Sequence, residues 1–372
     1  MPGNEKRILF AVTIAPTIRI LMDGQIEWLS QQGYEVHTCS SGQLDSSRSD
    51  KSFTHQHHVL SMTRKISPLR DLFSIAKWFQ IVASVRPHTL VASTPKAALV
   101  SLIAAKALRV PRRIYLLRGL RLETATGWRR KMLAIAEKVC VWSADVVIAV
   151  SPSVGREFVE LGLAPRNKVQ HVGEGSSNGV NASWFTPLTA EQRANLRVEL
   201  DLSPEAIVVA YVGRLVTDKG WDVFCEATRI AKQRHPEIQA IALGSNEEAL
   251  TVPNWIRYEG VTDDIRKWYQ AMDMLVLPTF REGFPNVPLE AAACEVPTIA
   301  SRATGAIDSV IDGKTGLLVD VKDVAQTADA IIRLAVDDAL RIELGTAARQ
   351  RVLEKFRPED IWRGYLDIYN SI

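Results

Sequence analysis

What most constrains the fold of this chain is an alternation that runs along nearly all of it. Apolar, β-rich runs recur between helical patterns of about 10–15 residues. RILFAVT, YEVHTCS, HHVLSM (57–62), TLVAST, RRIYLLR, ADVVIAVS and KVQHVGEG mark the strands of the first half. Helical patterns lie between them: IRILMDGQIEWLSQQG, stopped at Gly33; SPLRDLFSIAKWFQIVASVRP; PKAALVSLIAAKAL; GWRRKMLAIAEKVCVWS; and SPSVGREFVELG. Strands this apolar need cover on both faces, which a parallel sheet between helices provides. Around 175–205 the pattern lapses into SSNGVNASWFTPLTAEQ, a connection rich in Ser, Asn, Gly and Pro. It then restarts with AIVVAYVGRL and runs through EIQAIALG, WIRYEGV, MLVLPT, PTIAS and GLLVDV. At 372 residues the chain exceeds one ordinary core. The expectation is α/β: two doubly wound domains at 1–177 and 178–357, with a helix at 358–372. Ligands of such sheets sit beyond the carboxyl ends of the strands, so two such domains face to face would enclose a cleft there.

Composition narrows the class. A hydrophobic fraction of 47% and a charged fraction of 23% are those of a globular protein. No secretory signal pattern opens the sequence. The most apolar stretch, AALVSLIAAKALRV, is interrupted by Lys106 and is too short to span a bilayer. The four cysteines are widely separated and read as reduced core thiols of a cytoplasmic protein. The net charge of +3 conceals an asymmetry: residues 1–175 carry 24 Lys and Arg against 13 Asp and Glu, and the remainder carries 21 against 29. A basic half suits an anionic partner such as a nucleic acid, a bilayer or a phosphorylated substrate. Nucleic acid is disfavoured, because the cations are not interleaved with stacking aromatics in any recognised module.

Three stretches carry candidate chemistry. In YVGRLVTDKGWD a strand ends at Gly213, and Arg214 and Lys219 follow before the next helix. Two cations there suit a diphosphate, the alternative being solvated surface charges. REGFPNVPLEAAACEVP places Glu282 and Glu290 around a helix entrance, where Asn286 is suited to cap and Pro288 to the first turn. A fully helical step between the two carboxylates would rise about 12 Å, too far to share a proton or a metal. They suit gripping the two ends of one extended, hydroxyl-rich ligand, unless they are surface glutamates on an exposed helix. In TGAIDSVIDGKTGLLVDVKD, Thr304-Gly305 reads as a ligand-facing turn and the turn at 312–316 as structural.

Taken in order, GRL with DKG, EGFPNVPLEA with its E-x₇-E spacing, and DGKTGLLV resemble the retaining family 4 glycosyltransferases of the GT-B fold. STPKAALVS, RRIYLLRGLRLETATG and GEGSSNGVN resemble members that build bacterial surface polysaccharides, so the likeness covers essentially the whole chain. It implies two Rossmann-like domains facing across a cleft, the N-terminal one for acceptor and the C-terminal one for donor, with the last helix crossing back to the N-domain as a brace. It implies transfer from a nucleotide sugar, UDP-linked by family habit, with no metal; the sequence contains no Asp-x-Asp. Arg214 and Lys219 would neutralise the departing diphosphate. Glu282 would hold sugar hydroxyls, Glu290 the ribose, and Gly283, Phe284, Pro285 and Asn286 would lie beside sugar and phosphate, with Gly213 at the strand end. Relatives carry a His-Gly where this chain has Arg118-Gly119, and Arg118 cannot act as a base but holds an anion or a hydroxyl. The loop from Thr13 to Arg19 replaces a Gly-Gly turn and is expected near acceptor or diphosphate.

Arg109, Arg112, Arg113, Arg118, Arg121, Arg129, Arg130 and Lys131 crowd one short span. The helix at 66–83 offers Leu69, Leu72, Phe73, Trp78 and Phe79 flanked by Arg64, Lys65, Arg70, Lys77 and Arg86. Either this helix packs on its own sheet or it meets an anionic membrane surface. A lipid-linked, polyprenyl diphosphate saccharide acceptor, as the resemblance implies, explains the basic half and predicts a peripheral place on the inner face of the membrane. Lys96, after Ser-Thr-Pro, is a further acceptor contact or a solvated helix start. Two other readings stand beside transfer: a GT-B-type UDP-sugar epimerase and a non-catalytic nucleotide-sugar-binding protein.

Overall fold

The computed structural model describes residues 6–43, 55–60 and 68–371, with the backbone alone for 68–73. Arg64 and Lys65 lie outside the described residues, as do the side chains of Leu69, Arg70, Leu72 and Phe73. The chain splits into two compact units, Met1–Asn178 with Glu359–Ile372, and Gly179–Pro358.

The first unit is built on β1 (Arg7–Ile14), β2 (Glu35–Ser41), β3 (Gln56–Val59), β4 (Thr89–Ser93), β5 (Arg112–Leu117), β6 (Val146–Ala149) and β7 (Val169–Gln170). The sheet order is β3-β2-β1-β4-β5-β6-β7, every pair parallel. β4 and β6 are buried at every position, as their unbroken apolar runs require. The helix Pro95–Ala107 packs Ala97, Ala98, Leu102 and Ala105 into the core, the small residues allowing close approach to the sheet. Strand order reverses direction between β1 and β4, so the chain exits their carboxyl ends on opposite sides.

The second unit uses β8 (Ile207–Val212), β9 (Ile238–Leu243), β10 (Ile256–Gly260), β11 (Met274–Leu277), β12 (Thr298–Ser301) and β13 (Gly316–Val319). Its order is β10-β9-β8-β11-β12-β13, again all parallel, with the reversal between β8 and β11. At the amino ends of those two strands Asp273 accepts hydrogen bonds from Arg193 (2.7 Å), Arg197 (2.6 Å) and the Val208 N–H (2.7 Å). Burial pushes this carboxyl up, but the two guanidinium groups outweigh it and hold the pKa below the ordinary Asp value. The cluster ties the helix Ala190–Glu199, entered through a Thr189/Gln192 capping box, to the sheet.

Two expectations change. The single helix read through residues 18–33 is two, Ala15–Leu21 and Gln25–Gln31, broken at Gly24 with φ 73°. A Cβ at Gly24 would stand 2.8 Å from the Trp362 ring, so the break makes room for the C-terminal helix Pro358–Asn370. That helix completes the first unit: Trp362 donates to Asn178 (2.6 Å), and Tyr365 donates to the Ser176 carbonyl (2.7 Å). The helix at 66–83, read from sequence as either packing on its own sheet or meeting a membrane, runs over Pro68–Val85 and buries Trp78, Val82 and Val85 in the core. Ile75, Phe79 and Ile81 pack against the same core.

Candidate active site

The site forms in the second unit where the strand order reverses. β8 ends beside Gly213, whose N–H donates to the Leu243 carbonyl (2.9 Å). The chain then makes a short turn at Thr217–Lys219 and enters the helix Trp221–Arg234. Gly220 sits between them against the exit of β11, and a Cβ there would meet the Pro278 carbonyl oxygen at 2.0 Å. This approach lets the two loops interlock. The Phe280 N–H (2.9 Å) and Thr279 hydroxyl (3.2 Å) both donate to the Asp218 carbonyl, and Arg281 pairs with the Asp218 carboxylate (2.6 Å). The interlock brings Lys219 and Glu282 together as an ion pair, with side chains only 22% and 13% exposed.

The Glu282 loop is supported from beneath. The Glu282 N–H donates to the Thr304 carbonyl (2.8 Å), and the Ser301 hydroxyl donates to the Thr279 carbonyl. Gly305, at φ 79°, lies so close that a Cβ would stand 2.3 Å from the Gly283 oxygen and 2.5 Å from that of Glu282. Thr304-Gly305, read from sequence as a ligand-facing turn, is thus the platform under the carboxylate loop. Phe284 and Pro285 are buried, and the Phe284 ring lies 5.6 Å from that of Phe356, so this side chain anchors the loop.

The helix entrance differs from the sequence reading. The helix spans Val287–Ala293 with Pro288 in its first turn, but Asn286 already has helical angles (φ −76°, ψ −31°) and makes no side-chain cap. Its Oδ1 is buried without a hydrogen-bond partner. Residues 281–286 are not helical, so the helical rise between the two carboxylates does not apply. Glu290 stands in the first helical turn and accepts a hydrogen bond from the Tyr269 hydroxyl (2.7 Å). Burial pushes its carboxyl pKa up, opposed by that hydrogen bond. Arg214, half exposed, pairs with Glu247 (2.9 Å) on the rim.

In the first unit the expected loop from Thr13 to Arg19 is no loop: β1 runs to Ile14 and a helix begins at Ala15. The strand simply feeds the helix, so Thr13 is buried, its hydroxyl 2.7 Å from that of Thr94 and its carbonyl accepting from Ser41 (2.6 Å). Thr94 is the strained residue there, at φ 74°, ψ 132° between β4 and Pro95. Sequence reasoning pointed to Lys96 and passed over it, although Ser-Thr-Pro at a strand end is its signal. Arg118 follows β5. Its Nε and Nη1 are buried with no hydrogen-bond partner, within electrostatic reach of Tyr365 and Tyr369. An anion would satisfy a guanidinium held this way. Arg113, by contrast, is structural, bound to Asp145 and the Val110 and Ser143 carbonyls. Among the described residues no cluster of His, Cys, Asp and Glu is gathered as for a metal ion, and no helix is long and apolar enough to cross a membrane.

Known proteins match this chain in sequence and in fold. Family models match residues 206–337 (glycosyl transferases group 1) and residues 21–175 (glycosyl transferase 4-like domain). The capsular polysaccharide biosynthesis glycosyltransferase CapM of Staphylococcus aureus is 35% identical over 99% of this chain and 98% of its own length. A D-inositol 3-phosphate glycosyltransferase of Corynebacterium diphtheriae is 31% identical over 58% of this chain and 53% of its own length. Among solved structures, sucrose-phosphate synthase from Thermosynechococcus elongatus superposes with a TM-score of 0.79 at 22% identity, covering 98% of each chain. Anabaena HepE, solved with UDP and glucose, superposes with a TM-score of 0.79 at 19% identity, covering 99% of this chain and all of its own. These likenesses establish the fold.

Proposed function

This chain belongs to the group 1, family 4-like glycosyltransferases of the GT-B fold, and from that premise we propose that it transfers a sugar, with retention, from a nucleotide sugar to a lipid-linked saccharide. The observation that carries the reading is the Lys219–Glu282 pair held at the strand reversal of the second unit, with Arg214 on the rim and Glu290 in the following helix. A cation beside a carboxylate suits the join between a diphosphate and a sugar. Lys219 and Arg214 take the diphosphate, and Glu282 takes sugar hydroxyls. The backbone from Gly283 to Asn286 lines the join, and Glu290 with Tyr269 receives the ribose. Crystals of HepE with UDP and glucose on the same fold support a UDP-linked donor.

In the reaction an acceptor hydroxyl oxygen forms a bond to the anomeric carbon on the face from which the diphosphate leaves. The carbon–oxygen bond to phosphate breaks, its electron pair departs with the nucleoside diphosphate, and the acceptor's proton passes to the leaving phosphate oxygen. Charge developing on that oxygen is met by Lys219 and Arg214. Arg118, with its Nε and Nη1 buried and within electrostatic reach of the tyrosines of the C-terminal helix, is a second anion hold, suited to a phosphate of the acceptor. Thr13 acts through Thr94, fixing the turn after β4. Whole-length identity to CapM supports a role in building a bacterial surface polysaccharide, on a polyprenyl diphosphate carrier at the cytoplasmic face of the membrane.

The test is a panel of UDP- and GDP-sugars, each with a polyprenyl diphosphate saccharide, followed by product mass, free nucleotide and anomeric coupling in NMR. The expected result is one donor consumed, equimolar nucleoside diphosphate released, and a product longer by one sugar of unchanged anomeric configuration. Conversion of the donor without acceptor would make the chain an epimerase, and binding without turnover a sugar-nucleotide receptor. Either result overturns the proposal.

A further inference from the structure

The helix Gly127–Ser143 is apolar on two opposite sides. Glu137, Cys140 and Val141 face inward, and the helix packs against Pro95–Ala107. Trp128, Met132, Ile135 and Trp142 face solvent, exposed by 66%, 47%, 57% and 64%, with the half-buried Val139 in line. Spaced i, i+4, i+7, i+11 and i+14, these five fall within an arc of about 80°, diametrically away from the buried side. Soluble surfaces carry single apolar residues freely but rarely a continuous line of two tryptophans, a methionine and an isoleucine.

The rim of this stripe is cationic. Arg129, Lys131 and Lys138 are exposed beside it. Lys106 stands 3.8 Å from the centre of the Trp142 ring while donating to the Trp142 carbonyl (2.7 Å), and the Arg129 guanidinium lies 6.0 Å from the Trp128 ring. From residue 106 to 143 the chain holds ten Lys and Arg against two Glu. One of those two, Glu137, is buried, accepting a hydrogen bond from Tyr115. A surface with indole rings and a thioether in a row, bordered by cations and almost free of carboxylates, has the chemistry of a helix lying in the headgroup layer of an anionic bilayer.

We propose that this helix face is the membrane-docking surface: Trp128, Met132, Ile135 and Trp142 enter the headgroup–acyl boundary, and Arg129, Lys131, Lys138 and Lys106 meet anionic headgroups. The proposal rests on the reading of a membrane-borne acceptor, and it names a different element from the helix at 66–83, whose Trp78 is committed to the core. A protein partner or a second copy of the chain would cover the same stripe without needing its cationic border.

The experiment is co-sedimentation of the full chain with vesicles of phosphatidylcholine, with and without phosphatidylglycerol. It compares wild type, Trp128→Ser/Ile135→Ser, and Arg129→Gln/Lys131→Gln/Lys138→Gln. Binding only to the anionic vesicles is expected, with the membrane partition falling about tenfold or more in each variant. Quenching of indole fluorescence by brominated lipid is expected to be lost in Trp128→Phe/Trp142→Phe, a readout that a folding defect alone does not produce while nucleotide-sugar binding stays intact. If wild type binds and the variants bind equally, the face is wrong although the membrane reading stands. If wild type ignores both vesicle types yet transfers sugar to a water-soluble acceptor, the membrane reading falls and the transferase survives. A concentration-dependent dimer abolished by Ile135→Ser, with no vesicle binding, overturns the proposal in favour of a second copy.

Discussion

Replacing Lys219 by Ala tests the electrostatics of the site, because the structure sets the size of the effect. The Lys219 ammonium touches the Glu282 carboxylate, both largely shielded from water, so a diphosphate arriving there meets one positive and one negative charge. Deleting the ammonium leaves the carboxylate facing the phosphates. One unit charge at about 5 Å and an effective dielectric constant of about 20 is worth ~3 kcal/mol, or some two orders of magnitude in rate. Loss of a preorganised contact to the leaving group is of the same size, about 10²–10³ in kcat. Glu282→Gln removes a sugar contact and is expected to cost about a hundredfold as well. In the Glu282→Gln background, however, no carboxylate remains to repel the donor, so adding Lys219→Ala costs less. The coupling is about 1–3 kcal/mol, which places the double mutant within about twentyfold of the worse single mutant. The assay is kcat/KM from released nucleoside diphosphate, with a parallel dissociation constant for the nucleotide sugar. Losses that multiply would show that the two side chains act independently in the working enzyme and would refute the reasoning.

Other consequences follow from the same geometry. Gly305→Ala puts a methyl group 2.3 Å from the Gly283 oxygen and is expected to shift the Glu282 loop, lowering turnover tenfold or more while CD spectra stay native; unchanged kinetics would mean that the platform is not needed. Asp273→Asn strands the buried Arg197 and is expected to destabilise the second unit by about 3 kcal/mol, measured calorimetrically at neutral pH. Because the Asp273 pKa is lowered in the fold, the stability it contributes is present above the unfolded value and is lost as pH falls below it, so the gap between wild type and mutant should close in acid. Burial raises the Glu137 carboxyl pKa to about 7 from 4.5, opposed by the Tyr115 hydrogen bond. The neutral acid is favoured in the fold, so its stabilising contribution is full below pH 4.5 and is lost as pH rises towards about 7, by at most about 3 kcal/mol. Glu137→Gln should therefore raise the melting temperature at pH 8 and leave it nearly unchanged at pH 4.5; equal shifts at both would contradict the assignment.

The sheets were legible because a strand buried on both faces must be apolar throughout, and β4, β6 and β11 have that pattern. The candidate site was legible for a related reason: Arg214, Lys219 and Glu282 all follow directly after strands, where doubly wound sheets place ligands. The failures are tertiary. Asp23-Gly24 is a turn signal inside the helical pattern, but the residue that needs the space there is Trp362, far along the chain. Asn286 has the composition of a cap, yet the loop held by Thr304 and Gly305 delivers it with helical angles and its side chain turned away from that role. The spacing of Trp128, Met132, Ile135 and Trp142 was present in the sequence. An apolar periodicity, however, does not reveal whether a stripe faces the core or solvent, and only the packing of Cys140 and Val141 on the other side decides it.

The most direct test is a crystal structure of the full chain with a bound nucleotide sugar. The account predicts diphosphate density within hydrogen-bonding reach of Lys219 and Arg214, with the sugar at Glu282 and the ribose at Glu290. A well-ordered nucleotide bound away from these four side chains would contradict it.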